Sequence, residues 1–254
     1  MLNHVVRQVT ELRQKRMRRV GHKGADLIEP GNTRASFDAA LAHGVDMIEL
    51  DVLPEHWVNK QPQGGLILAH DYEDAAERTP LTLAEGLAHL ASEPFAAIEF
   101  IIDLKLPGYE ARVLDALAEA GLYDRAMVST TYRDSLARLR EADPGARIAW
   151  SVPRARRDYT NSRLMLVPAL VVLAAMRRSL PRRAASAIHE RLCDAVMAHW
   201  RLVTPRLVAA VAGAGGELYV WTVDHAPRIQ QLEALGVTGV ITNDPRLFGA
   251  PAAP

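Results

Sequence analysis

Short apolar runs alternate with segments of helical periodicity along most of this 254-residue chain. Such runs, bounded by turn residues, are typical of buried strands, and apolar residues spaced three and four apart are typical of amphipathic helices. The apolar runs span residues 19–21, 47–52, 97–104, 126–130, 147–152, 195–198, 218–223 and 239–242, and the clearest helical segments span 33–43, 109–120, 132–142, 204–214 and 227–235. Eight strands that alternate with helices predict an α/β fold of the (β/α)8 TIM barrel type.

An open, doubly wound sheet is the alternative fold for the same alternation. Its usual mark is a glycine-rich nucleotide-binding loop after the first strand. Gly21, Gly24 and Gly31 follow the first strand here, but they lack the GxGxxG spacing. The barrel is therefore the preferred fold.

One segment breaks the alternation and predicts a hairpin. Residues 53–65 contain two prolines and two glycines, which are poor helix formers. A parallel connection usually needs a helix, so the apolar run at 66–69 is expected to return antiparallel beside the second strand. This short excursion carries His70 and Asp71 to the barrel mouth, and no sizeable inserted subdomain follows it.

The chain divides into an N-terminal segment and a single barrel domain, predicted over residues 18–250. Residues 1–17 are predicted to form a basic amphipathic helix, because apolar residues recur there at helical spacing. Its apolar positions are Leu2, Val5, Val6, Val9 and Leu12. The helix either closes one end of the barrel or attaches to an anionic membrane surface.

The sequence shows neither a secretory signal nor a membrane-spanning segment. The N-terminus lacks the apolar core of a signal peptide. The longest apolar run, residues 164–176, would reach about 20 Å as a helix, short of the ~30 Å hydrocarbon core. Arginines flank it, so it is either a buried barrel helix, which we favour, or a lipid-facing element. With one cysteine, Cys193, the chain is expected in the cytoplasm, with peripheral membrane contact as an option.

The formal net charge of zero arises from blocks that cancel one another. Residues 1–19 carry +5, residues 20–152 carry −11, residues 153–183 carry +7 and residues 184–254 carry −1. An acidic block suits the capture of a cation, and basic blocks suit a phosphate-bearing substrate or a lipid surface. Nucleic acid is not among the expected partners of this neutral chain.

Polar residues at the carboxyl ends of the strands are candidates for chemistry, because active sites of such barrels lie there. Glu49 and Asp51 are two apart on one strand, so their side chains share a face and repel each other unless a cation intervenes. Asp103 and Lys105 repeat this spacing on a neighbouring strand. Three carboxylates without a nearby cysteine suit a hard divalent cation, Mg²⁺ or Ca²⁺. The alternative is a buried ion-pair network in which Lys105 pairs with Asp51 or Asp103.

Two histidines lie at strand ends beside this acidic cluster. His22 follows the first strand, and His70 follows the predicted hairpin. A lone histidine is more often structural than catalytic, but a pair at one barrel mouth beside a metal site favours general acid/base catalysis, since histidine titrates near neutral pH.

Six segments follow one another in a recognisable order: GHKGADLIEPGNT, IELDV, LILAHD, IIDLK, VWTVD and GVITNDP. Together they resemble the glycerophosphodiester phosphodiesterase family, whose pattern is H-R-G, E-N-T, E-x-D, H-D, E-x-K, W-T-V and G-V-x-T-D-x-P. The order and spacing match from about Val20 to Phe248, which is nearly the whole chain. The resemblance implies a (β/α)8 barrel that hydrolyses a phosphodiester to an alcohol and a phosphomonoester.

The resemblance also implies roles for individual residues. His22 and His70 are the catalytic pair, and the divalent cation is held by Glu49, Asp51 and Asp103. The residues implied to contact phosphate or substrate are Lys23, Lys105 and Trp221. One histidine takes up a proton or attacks, while the other protonates the leaving alkoxide. Attack by water and attack by the glycerol hydroxyl through a cyclic phosphate both stay open.

The chain departs from the family pattern at four places. Lys23 replaces arginine, which keeps the charge but loses the two-pronged contact with phosphate. Gly31 replaces the glutamate of E-N-T, and Asp103 replaces a glutamate that is one methylene longer. Only residues 72–80 stand where the family inserts a small subdomain, so we expect an open mouth.

These features lead to three functional hypotheses. The first is a metal-dependent phosphodiesterase that releases an alcohol and sn-glycerol 3-phosphate. The open mouth and the arginine-flanked apolar stretch at 163–183 motivate the second, lysophospholipase D or sphingomyelinase D-like cleavage of an acylated diester. The third is a catalytically weak barrel that binds phospholipid head groups, against which the retained histidines and carboxylates argue.

Overall fold

A computed structural model describes residues 16–153 and 166–249. The strands in these ranges are β1 (Arg18–Gly21), β2 (Met47–Val58), β3 (Gln61–Leu68), β4 (Glu99–Leu104), β5 (Ala126–Thr130), β6 (Ile148–Val152), β7 (Ala195–His199), β8 (Glu217–Trp221) and β9 (Gly239–Thr242). Eight of them are parallel neighbours, and β1 closes the ring by pairing with both β2 and β9. The predicted (β/α)8 barrel is confirmed.

Helices return the chain between most of these strands. They are α1 (Arg34–Ala42), α2 (Tyr72–Glu77), α3 (Leu83–Leu90), α4 (Glu110–Glu119), α5 (Arg133–Ala142), α6 (Leu166–His189), α7 (Pro205–Gly213) and α8 (Ala226–Leu235). Single 3₁₀ turns lie at Glu93–Phe95, Tyr123–Arg125, Trp200–Leu202 and Pro245–Phe248. Local sequence fixes several starts, since Thr33 and Thr82 each form a capping box at the N-terminus of a helix.

The hairpin after the second strand is confirmed and is longer than predicted. Strand β2 continues to Val58, and β3 returns antiparallel along it. Asn59 and Lys60 make the turn with φ angles of 51° and 61°, the left-handed conformation that a tight two-residue hairpin requires. Only the six-residue helix α2 separates the hairpin from α3, so the inserted subdomain is absent as predicted.

Apolar layers cover both faces of the barrel wall. Side chains alternate along each strand, so Met47 points into the barrel while Ile48 packs outward against the helices. Val20, Ile101 and Tyr219 help to fill the interior with Met47. Toward the carboxyl ends of the strands the inward positions become polar, and this change places charged side chains at the mouth.

One expectation about the core is wrong. The apolar run at 164–176 was expected to form a buried helix, but Leu170, Val171 and Val172 are 54%, 64% and 57% exposed. Helix α6 has 24 residues, and the residues that it buries against the barrel come later, at Leu180 and beyond. Among the described side chains of its first turns, Leu173 and Met176 pack partly buried against the core, while the opposite face of these turns stays exposed.

Two further expectations concern the chain outside the barrel wall. Of the N-terminal helix predicted over residues 1–17, residues 1–15 lie outside the described residues, and Arg16 and Met17 lead into β1 without helical structure. Among the described residues, no helix combines the length and the apolar character needed to cross a bilayer.

Candidate functional site

Three carboxylates meet inside the barrel at its mouth. Glu49 and Asp51 point inward from β2, and Asp103 points inward from β4, where it lies directly beside Asp51 in the parallel register. Each is at most 9% exposed. One oxygen from each carboxylate lies within 4.8 Å of the others. The structure therefore brings together the three predicted metal ligands as one buried acidic cluster.

A lysine and a serine contact the cluster from neighbouring strands. Lys105 places Nζ 2.5 Å from Oδ1 of Asp51 and 2.7 Å from Oδ2 of Asp103. Ser129, on β5, donates a hydrogen bond of 2.5 Å to Oδ1 of Asp103. The ion-pair network considered as the alternative to a metal site is thus present, but it supplies one positive charge to three carboxyl groups.

Backbone and amide donors hold the two carboxylates of β2 in place. Asn32 donates from Nδ2 to Oδ2 of Asp51 at 3.1 Å and accepts from the Asp51 amide at 3.0 Å. The amide of Lys23 donates to Oε2 of Glu49 at 2.9 Å. Lys23 and Asn32 both have positive φ, so the β1–α1 loop adopts a strained conformation that aims these donors at the cluster.

Burial and neighbouring charges shift these groups in different directions. Burial raises the pKa of Glu49 well above its ordinary value, and the charge of Asp51 adds to this effect. Burial alone would also raise the pKa of Asp51, but the ammonium of Lys105 outweighs it and lowers that pKa. The imidazoles of His22 and His70 lower it further. Burial thus opposes the charged form of Glu49, whereas the neighbouring positive charges favour an ionised Asp51.

The donor set fits a hard divalent cation. It offers carboxylate oxygens from three buried residues, and these are the ligands that Mg²⁺ and Ca²⁺ prefer. Oδ1 of Asp51 contacts Lys105 without the geometry of a hydrogen bond, and no other described residue supplies one. A buried carboxylate oxygen that lacks a hydrogen bond has capacity left for a further ligand.

His22 stands beside the cluster at the end of a hydrogen-bonded chain. Its Nε2 lies 3.8 Å from Oε2 of Glu49, and its Nδ1 lies 2.5 Å from Oδ1 of Asn243. Asn243 donates from Nδ2 to Asp224 at 2.7 Å, so its Oδ1 is left to accept from the imidazole. In the neutral ring the proton therefore sits on Nδ1, and the lone pair of Nε2 faces the cluster. Burial also lowers the pKa of His22, although the negative charge of Asp51 acts in the other direction and raises it.

His70 lies at the same mouth, after β3, and is more exposed. Its side chain is 51% exposed, and Nδ1 lies 2.9 Å from Oδ2 of Asp71. The backbone amide of His70 is held by Oδ2 of Asp74 at 2.9 Å. Asp71 caps α2, so the short helix that replaces the missing subdomain also orients the histidine.

The other two predicted contact residues are engaged within the protein. Nζ of Lys23 pairs with Oδ2 of Asp26 at 2.6 Å, so its ammonium must leave that partner before it can bind phosphate. The indole of Trp221 donates to the Met197 carbonyl at 3.1 Å and packs edge-on against His199. Trp221 is half-buried above the interior cluster, where its ring can still line the pocket.

Sequence reasoning missed several residues that the structure places in the site. Asn32 and Ser129 contact the carboxylates directly, while Asp224 and Asn243 hold His22. A usable signal existed for most of them: Asn243 follows β9 as His22 follows β1, and Ser129 is the inward residue of β5 beside Asp103. Their partners depend on strand order, which spacing alone does not provide.

Comparison with known proteins supports one family. The model of the glycerophosphoryl diester phosphodiesterase family matches residues 99–247, which is more than half of the chain. A glycerophosphodiester phosphodiesterase of Caldanaerobacter subterraneus subsp. tengcongensis is 24% identical over 253 residues, covering 89% of this chain and 93% of the relative. Motifs before residue 99, including both histidines, lie within the chain but outside the family-model match.

Solved structures show the same fold. A candidate glycerophosphoryl diester phosphodiesterase of Silicibacter pomeroyi superimposes with a TM-score of 0.72 at 20% identity, covering 94% of this chain and 95% of the other. An Oleispira antarctica phosphodiesterase in complex with sn-glycerol-3-phosphate superimposes with a TM-score of 0.62 at 17% identity, covering 92% and 96%. These structural similarities establish the fold, and the match to the family model establishes the family. This chain belongs to the glycerophosphoryl diester phosphodiesterase family.

Proposed function

We propose that this chain is a divalent-cation-dependent phosphodiesterase that hydrolyses glycerophosphodiesters to an alcohol and sn-glycerol 3-phosphate. The observation that carries the proposal is the buried cluster of Glu49, Asp51 and Asp103 at the barrel mouth, with Nε2 of His22 beside it. Family membership and the sn-glycerol-3-phosphate bound to the Oleispira antarctica relative support the same substrate class.

The three carboxylates would hold the cation. Once bound, Mg²⁺ or Ca²⁺ supplies positive charge that offsets the charge developing on the phosphoryl oxygens. Lys105 is fixed between two of the carboxylates and adds a fourth polar group on the same side of the mouth. We assign Lys105 to the stabilisation of phosphoryl charge, because its ammonium cannot lose its proton easily there: burial would lower its pKa, but Asp103 and Asp51 raise it well above the ordinary value.

We assign His22 as the group that accepts a proton. Hydrogen bonding to Asn243 leaves the lone pair of Nε2 directed at the cluster, and burial favours the neutral ring. Nε2 takes the proton of the attacking hydroxyl, whether that hydroxyl belongs to water or to the glycerol moiety. The oxygen then forms its bond to phosphorus as the bond to the leaving alcohol breaks. With water as the nucleophile this step gives sn-glycerol 3-phosphate, whereas the glycerol hydroxyl gives a cyclic phosphate that water opens in a second attack.

We assign His70 as the group that protonates the leaving alkoxide. Asp71 orients its ring through Nδ1, so Nε2 is the nitrogen that can reach a substrate. Its exposure suits a leaving group that extends toward solvent. Lys23 would contact the phosphate after exchanging Asp26 for it, and Trp221 would line the glycerol side through its ring.

The proposal is tested by product release. Glycerophosphocholine is incubated with the purified protein and Mg²⁺ or Ca²⁺, and sn-glycerol 3-phosphate is measured with and without a chelator. We expect cation-dependent release that falls by about 10²–10⁴-fold in His22→Ala, the usual contribution of a general base. The substitution His89→Ala is the matched control, because His89 pairs with Asp38 in the last turn of α3, away from the barrel mouth.

The same assay separates the other two hypotheses. Faster turnover of lysophosphatidylcholine than of glycerophosphocholine would favour cleavage of acylated diesters, for which the short α2 in place of a subdomain leaves room. Absence of turnover of every diester with every divalent cation would favour a head-group-binding barrel and contradict the proposal. The cytoplasmic location stays an expectation from the sequence.

A further inference from the structure

Helix α6 differs from the other barrel helices in length. It has 24 residues, or about 36 Å, whereas the helices on either side of it, α5 and α7, have ten and nine. Its fully buried side chains lie between Leu180 and Ile188, and nearer its start Leu173 and Met176 are partly buried against the barrel core. Residues 170–176 are called here the α6 tip.

The tip projects on the same side as the active site. Helices of a β/α barrel run antiparallel to the strands, so each begins near the mouth. Nε of Arg177 donates to the carbonyl of Arg201 at 2.7 Å, and Arg201 follows the carboxyl end of β7. Arg177 therefore marks the height of the rim. Leu170 lies seven residues before it, about 10 Å further out along the helix.

The tip is apolar and is followed immediately by positive charge. Leu170, Val171 and Val172 are each more than half exposed, and Ala174 and Ala175 are also exposed. The arginine collar, which comprises Arg177, Arg178, Arg182 and Arg183, comes within the next three turns. The helix contains no aspartate or glutamate over its whole length.

The arginine collar is available to an external anion. Within residues 16–153 and 166–249, none of Arg178, Arg182 and Arg183 forms an ion pair, and all three are exposed. Arg183 and Arg133 lie against the ring of the buried Trp150, at 5.3 and 4.9 Å from its centroid. They border a groove of about 430 Å³ that Met176 and Leu180 line from the helix.

Exposed apolar residues followed by arginines match the two layers of an anionic membrane surface, which are the acyl boundary and the charged head groups. Valine and leucine side chains partition into the acyl boundary, and arginines at the level of the head groups bind phosphate. A protein interface would place complementary acidic residues opposite the collar, whereas a lipid surface offers both layers in the order found here. We propose that the α6 tip and the arginine collar dock this chain on an anionic lipid surface with the barrel mouth facing the membrane.

This docking is independent of the proposed catalytic function and has its own readout. Sedimentation with vesicles of phosphatidylcholine containing about 30% phosphatidylglycerol is compared with sedimentation with phosphatidylcholine alone. We expect binding to the anionic vesicles that weakens as salt is raised. Val171→Asp/Val172→Asp should weaken it at least about tenfold, since two apolar side chains no longer leave water. Arg178→Glu/Arg182→Glu should weaken it by about fivefold per arginine and abolish the preference for anionic vesicles.

Leu235→Asp is the matched control. Leu235 is 39% exposed at the C-terminal end of α8, which lies at the opposite end of the barrel. This variant should bind vesicles like the wild type. Turnover of the water-soluble glycerophosphocholine should be unchanged in every variant, because none of these residues contacts the acidic cluster.

Three outcomes would overturn the proposal. The first is wild-type protein that does not bind anionic vesicles. The second is binding that survives both tip and collar substitutions but is lost in Val5→Asp/Val9→Asp, which would assign attachment to the N-terminal segment. The third is a wild-type dimer that Val171→Asp/Val172→Asp converts to a monomer, which would assign the tip to contact between copies of the chain.

Discussion

The two ends of the barrel carry charged residues on the same strands but balance them differently. On β4, Glu99 lies at the amino end and Asp103 about 13 Å away at the carboxyl end. Glu99 pairs with both Arg18 and Arg147, and Arg147 also reaches Glu217 at 3.4 Å. Two arginines there meet two glutamates, whereas at the mouth one lysine meets three carboxylates.

The difference separates a structural network from a binding site. Burial would raise the pKa of Glu99, but hydrogen bonds from Arg147 and Arg18 outweigh it and lower that pKa. For Glu49 no comparable partner exists among the described residues, and burial raises the pKa. The two arginines stabilise the anionic form of Glu99, whereas the anionic form of Glu49 lacks a comparable cation among the described residues, and a divalent ion would supply that charge.

The largest expected difference between the two ends is in catalytic activity, when glutamate is replaced by glutamine at each end. Glu49→Gln removes a ligand of the proposed cation, and we expect kcat/KM for glycerophosphocholine to fall by about 10³-fold. Glu99→Gln lies at the far end of the barrel and should stay within about threefold of the wild type. Steady-state kinetics at saturating Mg²⁺ or Ca²⁺ measure both. Equal losses in the two variants would show that the ends do not differ in function.

The next largest effect concerns the chain that holds His22. Asn243→Ala leaves Nδ1 of His22 without its acceptor, so the ring can turn and change tautomer, and we expect a loss of about 10–100-fold in kcat/KM. Because burial lowers the pKa of His22, the acid limb of the wild-type pH profile should lie below 6.5. The hydrogen bond to Asn243 raises the pKa of His22, so without it this limb should move further toward lower pH in the variant.

An exchange variant distinguishes positioning from a general structural role. Asp224→Asn/Asn243→Asp keeps one donor and one acceptor between the two side chains and still offers an acceptor to His22. It should recover most of the activity that Asn243→Ala loses. Failure to recover, with an unchanged melting temperature, would argue against the tautomer assignment.

Stability should respond in opposite directions at the two ends. Glu99→Gln weakens charge-assisted hydrogen bonds to two arginines, and we expect a loss of about 2 kcal/mol in the free energy of unfolding, or roughly 30-fold in the folding equilibrium. Glu49→Gln removes a carboxylate whose charged form burial opposes, so in chelator it should be as stable as the wild type or more stable. Urea unfolding at neutral pH measures both.

The sign of the pH dependence gives a control for the Glu99 network. The pKa of Glu99 is lower in the folded than in the unfolded protein, so its contribution is full above about 4.5 and disappears as the pH falls through the folded-state value. The difference between wild type and Glu99→Gln should therefore close in acid. A difference that persists at low pH would contradict the ion-pair account.

The smallest expected effect is the pH dependence of cation binding. Because the pKa of Glu49 is raised, cation binding should release a proton from Glu49 wherever the pH lies below that pKa. Affinity should rise with pH by at most about tenfold per unit, the limit for one proton. Calorimetry in two buffers of different ionisation enthalpy would detect the proton released. Binding without proton release would show that Glu49 is already ionised.

The sequence predicted the barrel well because strands and helices each have a local periodicity that can be recognised in the sequence. All eight barrel strands, together with the return of residues 66–69, were placed within a few residues of their positions in the structure. The length of β2 was underestimated, because the apolar run ends at residue 52 and residues 53–65 were interpreted only as a poor helix, yet Pro54 and Pro62 lie on the projecting hairpin, where proline is tolerated.

The site was predicted in part, for a similar reason. Glu49, Asp51 and Asp103 were found because spacing on a strand determines which side chains share a face. Asn32 and Asp224 were missed because their contacts depend on loop conformation and on β9 closing against β1. The misjudged α6 tip shows the same limit: apolar sequence predicts burial only where the fold supplies a surface to cover it.

The most direct test of the account is anomalous diffraction from crystals soaked with Mn²⁺. The account predicts one anomalous peak at the barrel mouth, at about 2.2 Å from oxygens of Glu49, Asp51 and Asp103. It predicts no peak at the opposite end, where arginines already neutralise Glu99 and Glu217. The same peak should disappear in Glu49→Gln. A cation found elsewhere, or none at the mouth of an enzyme whose activity requires one, would contradict the central claim.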